Sequence, residues 1–171
     1  FQVIVNMPEG TPLERTNAVL REMAADLTDR PVVTDVQTYA GDAAPVNLNG
    51  LVRHYDMRSA PHQGDIQVNL RAAHHRDRQS HAIAKSMRDS LQAIGDEHNA
   101  VVKIAEVPPG PPVRATLVAE VYGPDFETQR ALADSVRRAF EATEGVVDVD
   151  WRVEADQTKY TFEVKKEKAM R

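Results

Sequence analysis

Short segments in which hydrophobic and polar residues alternate are separated along this chain by segments with a helical hydrophobic period. The first segment, residues 1–7, alternates and predicts a strand. A helix is predicted next, because an apolar stripe repeats at helical spacing at Leu13, Leu20, Met23 and Leu27. Residues 32–41 predict a second strand, so the first unit is strand, helix, strand.

The same order repeats in a second unit. Residues 65–72 alternate strictly, a helix begins at about Asp77 or Ser80, and residues 100–107 predict a strand. The apolar stripe of this helix is formed by Ile83, Met87, Leu91 and Ile94.

Local signals predict where these helices begin and end. Thr11, Pro12 and Glu14 are spaced as a capping box with proline at the first helical position, so they predict the start of the first helix. Gly95 predicts the C-cap of the second helix.

A third unit follows a proline-rich segment, residues 108–113, which predicts a semi-rigid boundary. Residues 115–123 predict a strand, and Pro124 with Asp125 opens a helix that Gly145 ends. Residues 146–154 and 159–166 both alternate and predict two further strands.

These patterns predict an α+β fold. Strands with one polar and one apolar face are typical of antiparallel or mixed sheets covered by helices on one side, and two tandem βαβ units make a ferredoxin-like (split βαβ) domain. We expect one complete subdomain over residues 1–112 and half of another over 113–171. Because Phe1 lies inside a strand and the third unit is only half a domain, we interpret the chain as a piece of a longer protein.

Composition excludes several functions. The formal net charge is -5, which argues against general nucleic-acid binding. The chain contains no cysteine, so thiolate metal sites are excluded. His74, His75 and His81 lack the i, i+4 spacing that places two imidazoles on one helical face, so no metal or other cofactor is predicted.

Catalytic motifs are also missing from the sequence. No serine has a nucleophile-elbow context, and neither a P-loop nor a G-x-G-x-x-G sequence occurs. Asp148 and Asp150 lie two apart on a predicted strand, where a shared solvent face explains them. We therefore predict that the chain is not an enzyme.

The least patterned segment, residues 49–65, reads NGLVRHYDMRSAPHQGD. It belongs to a connection between the two units, from about Gly41 to Gly64, that exceeds the roughly 12 to 15 residues usual for a structureless loop. Such a loop is typically functional or mobile.

Several segments resemble the resistance-nodulation-division (RND) efflux transporters, also called acriflavine-resistance-type permeases. MPEGTPLERTNAVLREM is similar to the strand and helix that follow a transmembrane helix in that family. VAEVYGPDFETQRALADSVRRAFEATEGVVDVD and EVKKEKAMR are similar to later parts of the same periplasmic region. The resemblance covers nearly the whole chain, and it is to the porter region of the C-terminal half.

The resemblance implies a fragment of a proton-driven, trimeric pump in the bacterial inner membrane, with this segment on the periplasmic side. It implies small-molecule efflux substrates, the membrane helices of the parent, a periplasmic adaptor and an outer-membrane channel as partners. A substrate-path or gating loop falls at Leu51, Val52, Arg53, His54, Tyr55, Asp56, Met57 and Arg58. The cations Arg53, His54 and Arg58 suit polar or anionic cargo better than neutral drugs.

Two other functions remain open from the sequence. One is a ferredoxin-like regulatory module that binds a small molecule, and the other is an acylphosphatase-like hydrolase. The acidic first turn, NMPEGTPLER, argues against the hydrolase, since that reaction needs an anion-binding loop.

Overall fold

A computed structural model of the chain describes residues 1–106, 113, 115–151, 153, 156, 158 and 160–165. Within these residues the strands are β1 (Gln2–Asn6), β2 (Val33–Ala40), β3 (Gln63–Leu70) and β4 (Val101–Ala105). The helices are α1 (Leu13–Thr28), α2 (Leu48–Arg53), α3 (Ser80–Glu97) and α4 (Phe126–Glu141), with 3₁₀ turns at Tyr55–Met57 and Ala73–His75.

The four strands form one antiparallel sheet in the order β2-β3-β1-β4. The register places Ile4 opposite Asp65 of β3 on one side and opposite Lys103 of β4 on the other. Since β1-α1-β2 and β3-α3-β4 supply two βαβ units whose strands interleave, this is the predicted ferredoxin-like arrangement. The α+β fold class is confirmed.

The main core lies between one face of the sheet and the helices α1 and α3. All its members are less than a tenth exposed, and its centre is formed by Val3, Val5, Leu20, Met23, Leu27, Ile66, Val68, Ile83, Met87 and Leu91. The periodic stripes predicted for both helices supply the helical members, but Leu13 of the first stripe is 43% exposed and Ile94 of the second is only partly buried.

The opposite face of the sheet is also largely buried, contrary to the expected wet face. Gln2, Ile4, Asp65 and Lys103 all lie on it and are 6%, 0%, 0% and 5% exposed. The connection between β2 and β3 returns over this face, and Ala44 of that connection donates its backbone N–H to Asp65. The alternation distinguished the two faces, but it could not show that a connection covers the polar one.

Both predicted cap signals were wrong in detail. Pro12 is the N-cap of α1 and no side chain caps it, because the Thr11 hydroxyl donates to the carbonyl of Pro8 in the preceding turn. Gly95 lies inside α3. The helix ends in a Schellman motif in which Asn99 has a φ of 54° and Ala100 N donates to Gly95 O over 2.8 Å.

In the third unit, α4 forms as predicted and Asp125 caps it by accepting from Thr128 N over 2.8 Å. The predicted strand at residues 115–123 was wrong, since none of these described residues is in a strand. The described residues of 146–154 and 159–166 form no strand either, and the remaining ones lie outside the described residues. An alternating pattern becomes a strand only when neighbouring strands accept its backbone hydrogen bonds.

Candidate functional site

The connection between β2 and β3 is an ordered strap rather than a structureless loop. Asn47 Oδ1 accepts from Gly50 N over 2.8 Å and so caps α2. His54 then adopts a left-handed conformation with φ 60°, which ends α2 and starts the 3₁₀ turn Tyr55–Met57. We call residues 41–62 the strap, because they cross the second face of the sheet.

Arg58 fastens the strap to the sheet. Its Nε donates to Asp65 Oδ1 over 2.9 Å, and its Nη1 donates to Asn6 Oδ1 over 2.7 Å. Its Nη2 donates to the backbone carbonyls of Val5, at 2.9 Å, and Gly64, at 3.2 Å. The Arg58 side chain is 9% exposed and that of Asp65 is fully buried. The guanidinium is therefore held by internal partners.

Asp65 is the centre of this network. Its Oδ2 accepts from Gln2 Nε2 and from Ala44 N, each over 3.0 Å. Burial raises the pKa of the Asp65 carboxyl, although Arg58 and these two hydrogen bonds act in the opposite direction. A carboxylate in this position needs its cation, because an unpaired buried charge is strongly destabilising.

The segment after α4 also packs against the sheet, at its β4 edge. Arg88 of α3 forms an ion pair with Asp148, whose Oδ2 accepts from Arg88 Nη2 over 3.0 Å. Lys103 of β4 forms an ion pair with Asp150. Because Arg88 belongs to the helix layer and Lys103 to the second face, residues 148–150 cross the edge of the sheet. This crossing brings the segment opposite the strap.

A cleft with a volume of about 490 Å³ lies between the strap and this segment. The strap side contributes Arg53, His54, Tyr55, Met57 and Arg58, and the opposite side contributes Arg137, Glu141, Val149, Asp150, Trp151 and Val153. Met7, Pro8 and Glu9 of the first turn and Asn99 near the end of α3 also line it. A concave site of this size is typical for a small organic molecule.

The predicted site residues divide into three groups. Arg53, His54, Tyr55 and Met57 line the cleft, and Met57 is 72% exposed. Arg58 also borders the cleft, but its hydrogen bonds are directed to the sheet. Leu51, Val52 and Asp56 are not among the described residues that line it, and Leu51 is 49% exposed.

Sequence reasoning missed the opposite wall of the cleft. Arg137 lies over the ring of Trp151, with 5.2 Å between its Cζ and the ring centroid. It also forms ion pairs with Asp134 and Glu141. The available signal was that Trp151 is the only tryptophan of the chain, and a half-buried tryptophan is a common binding-site residue.

Two further findings on the described residues concern metal-binding sites and membrane-spanning helices. Among the residues that the structure describes, no group of three or more His, Asp or Glu side chains has an arrangement that holds a metal ion. Over the same residues, no helix combines the length and the apolar character needed to cross a membrane.

This fold is shared with a class of efflux transporter. Two crystal structures of a heavy metal efflux pump are similar to the chain. Crystal form II has a TM-score of 0.57 and 19% identity over 82% of this chain and 14% of the pump. Crystal form I has a TM-score of 0.56 and 18% identity over 84% of this chain and 15% of the pump. The chain thus corresponds to a small part of the length of those pumps. No curated protein matches the sequence at a significant level.

The family follows from the sequence itself. The model of the AcrB/AcrD/AcrF family matches residues 1–171, the whole chain. The chain belongs to this family of RND efflux transporters, and the predicted resemblance is confirmed. Transporters of this family are inner-membrane pumps with periplasmic porter domains.

Proposed function

We propose that the chain forms part of the substrate path of a proton-driven efflux pump. In this proposal residues 1–112 are one porter subdomain and residues 113–171 are the first part of a second, and both lie on the periplasmic side of the bacterial inner membrane. The parent would act as a homotrimer, together with a periplasmic adaptor and an outer-membrane channel. Family membership and the porter-like fold support this assignment.

The cleft is the observation that carries the proposal. It is formed by residues that are far apart in sequence, from the strap and from the segment after α4, and its volume of about 490 Å³ suits a small molecule. The strap residues Leu51 to Arg58 form one margin of the path. Since Arg58 and Asp65 fix the far end of the strap to the sheet, any gating movement belongs to α2 and the 3₁₀ turn.

Thiol blocking in the full-length transporter tests this role. Met57→Cys places a thiol at an exposed position in the cleft of a chain that has no cysteine of its own. In a parent cleared of other reactive cysteines, we expect a bulky maleimide to abolish export of a fluorescent substrate. Ala93→Cys is the control, because it is exposed on α3, which packs on the other face of the sheet.

Two outcomes distinguish blocking of the cleft from general damage to the transporter by the label. Loss of export after labelling at Met57→Cys, with export retained after labelling at Ala93→Cys, is the expected result. Full export with quantitatively labelled Met57→Cys would place the substrate path elsewhere.

A further inference from the structure

Arg53 is a cation in the cleft with an unmet hydrogen bond. Its Nε is buried, and among the described residues no acceptor lies within reach of it. A buried donor without an acceptor is costly, and such groups are rare in folded proteins. Arg53 also lines the cleft, so a ligand bound there lies within reach of its guanidinium.

The other arginines of the cleft form ion pairs, and so does its Asp150. Arg58 is paired with Asp65, and Arg137 is paired with Asp134 and Glu141. On the acidic side, Asp150 is paired with Lys103, and Glu9 is not free either. Within the described residues, Arg53 is therefore the cleft arginine for which no ion pair is formed.

The opposite wall combines an aromatic and two aliphatic side chains with the charged Arg137, Glu141 and Asp150. Trp151 and Val153 face the strap side, which contributes Tyr55 and Met57. Arg137 covers part of the Trp151 ring and has a second buried Nε without an acceptor among the described residues. The cleft thus combines one arginine that has no ion pair among the described residues with a tryptophan ring that suits a flat aromatic ligand body.

We propose that the cleft binds small aromatic monocarboxylates, with the carboxylate on Arg53 and the ring against Trp151. The proposal rests on the substrate path described above and names the class of substrate for it. A guanidinium matches a carboxylate in a planar, charge-assisted geometry. One arginine without an ion pair suits a single negative charge, and the carboxylates of Glu141 and Asp150 in the same cleft disfavour a multiply charged anion such as phosphate.

Two probes of the same shape isolate the charge. 2-Naphthoate and 2-naphthamide share one ring system, and only the first is an anion. Isothermal titration calorimetry on the full-length transporter should show tighter binding of 2-naphthoate. Arg53→Gln should weaken 2-naphthoate binding about ten-fold and leave 2-naphthamide within about two-fold of its original affinity, since a charge-assisted bond is lost only with the anion.

Three further variants control the experiment. Arg53→Lys keeps the charge but loses the planar fork, so we expect an intermediate affinity for 2-naphthoate. Trp151→Leu should weaken both probes, because both use the ring surface. Arg21→Gln on the exposed side of α1 removes a matched charge away from the cleft and should change neither affinity.

The proposal is overturned if Arg53→Gln leaves 2-naphthoate affinity unchanged, or if it weakens both probes equally. That failure is distinct from failure of the proposed function. If the cleft carries other substrates, labelling of Met57→Cys would still abolish export by the transporter. If the cleft lies outside the substrate path, the same labelling would leave export unchanged.

Discussion

At the scale of single residues, the ion pair between Arg58 and Asp65 differs most from what the sequence indicated. Asp65 occupies a polar position of an alternating strand and was expected on the wet face, and Arg58 was predicted to lie on the substrate-path loop. The structure buries them together because the strap folds over the polar face of the sheet. Alternation shows which residues of a strand share a face. It does not show what packs on that face, because this depends on the path of a distant segment of the chain.

Removing one member of the pair should be far more damaging than removing both. Arg58→Met leaves the buried Asp65 carboxylate without its cation, so we expect the free energy of unfolding to fall by about 3–5 kcal/mol. Arg58→Met combined with Asp65→Asn should lose clearly less than the sum of the two single changes. Urea denaturation of the four proteins measures this coupling.

An exposed ion pair supplies the matched control. Arg130 pairs with Asp156, whose side chain is 83% exposed. Arg130→Met should change stability little, since solvent screens such a pair. If Arg58→Met were as mild as Arg130→Met, the anchoring role of Arg58 would be wrong.

At the scale of secondary-structure elements, hydrophobic period predicted the first two units well. All four strands and both long helices of residues 1–106 were expected, and their stripes are buried except at Leu13, which lies exposed in the first turn of α1. The short helix α2 was missed, because six residues are too few to show a 3.6-residue period. The strand predicted at residues 115–123 was wrong for the opposite reason. Its alternation is clear, but local alternation cannot provide the neighbouring strand that pairing requires.

The two helical glycines should respond in opposite ways to alanine. A Cβ at Gly95 would lie 2.5 Å from Val102 Cγ2 and 3.1 Å from Ala100 O, whereas one at Gly50 would meet nothing nearer than 3.5 Å. Overpacking costs about 1–3 kcal/mol, and replacing a helical glycine by alanine gains about 1 kcal/mol.

We therefore expect Gly95→Ala to lower the melting temperature and Gly50→Ala to keep or raise it. Thermal unfolding followed by circular dichroism measures both. A stabilised Gly95→Ala protein would show that α3 and β4 do not approach each other as closely as the structure has them.

At the scale of the whole molecule, the described residues between 113 and 165 leave much apolar surface uncovered. Phe126 and Leu132 of α4 are 61% and 50% exposed, and Tyr160 and Phe162 are 84% and 94% exposed. Exposed apolar patches and unpaired strand segments promote association. We expect the isolated 171-residue chain to dimerise, and Phe126→Ser with Leu132→Ser to weaken the dimer. A strict monomer at high concentration in analytical ultracentrifugation would contradict this.

The cleft is formed by segments that lie far apart along the chain, and for this reason the sequence predicted only one side of it. Arg53, His54, Tyr55 and Met57 were identified through the resemblance to a transporter family, whereas Arg137 and Trp151 lie far along the chain. Their proximity depends on the ion pairs of Asp148 and Asp150 with α3 and β4. The alternation of residues 146–154 gave no indication of these contacts.

The most direct measurement is the structure of the full-length transporter purified with an exported substrate. We predict ligand density in the cleft, between the strap residues Arg53 and Tyr55 on one side and Trp151 on the other. Ligand density confined to other parts of the periplasmic region, with this cleft closed in every protomer, would contradict the assignment of the cleft to the substrate path.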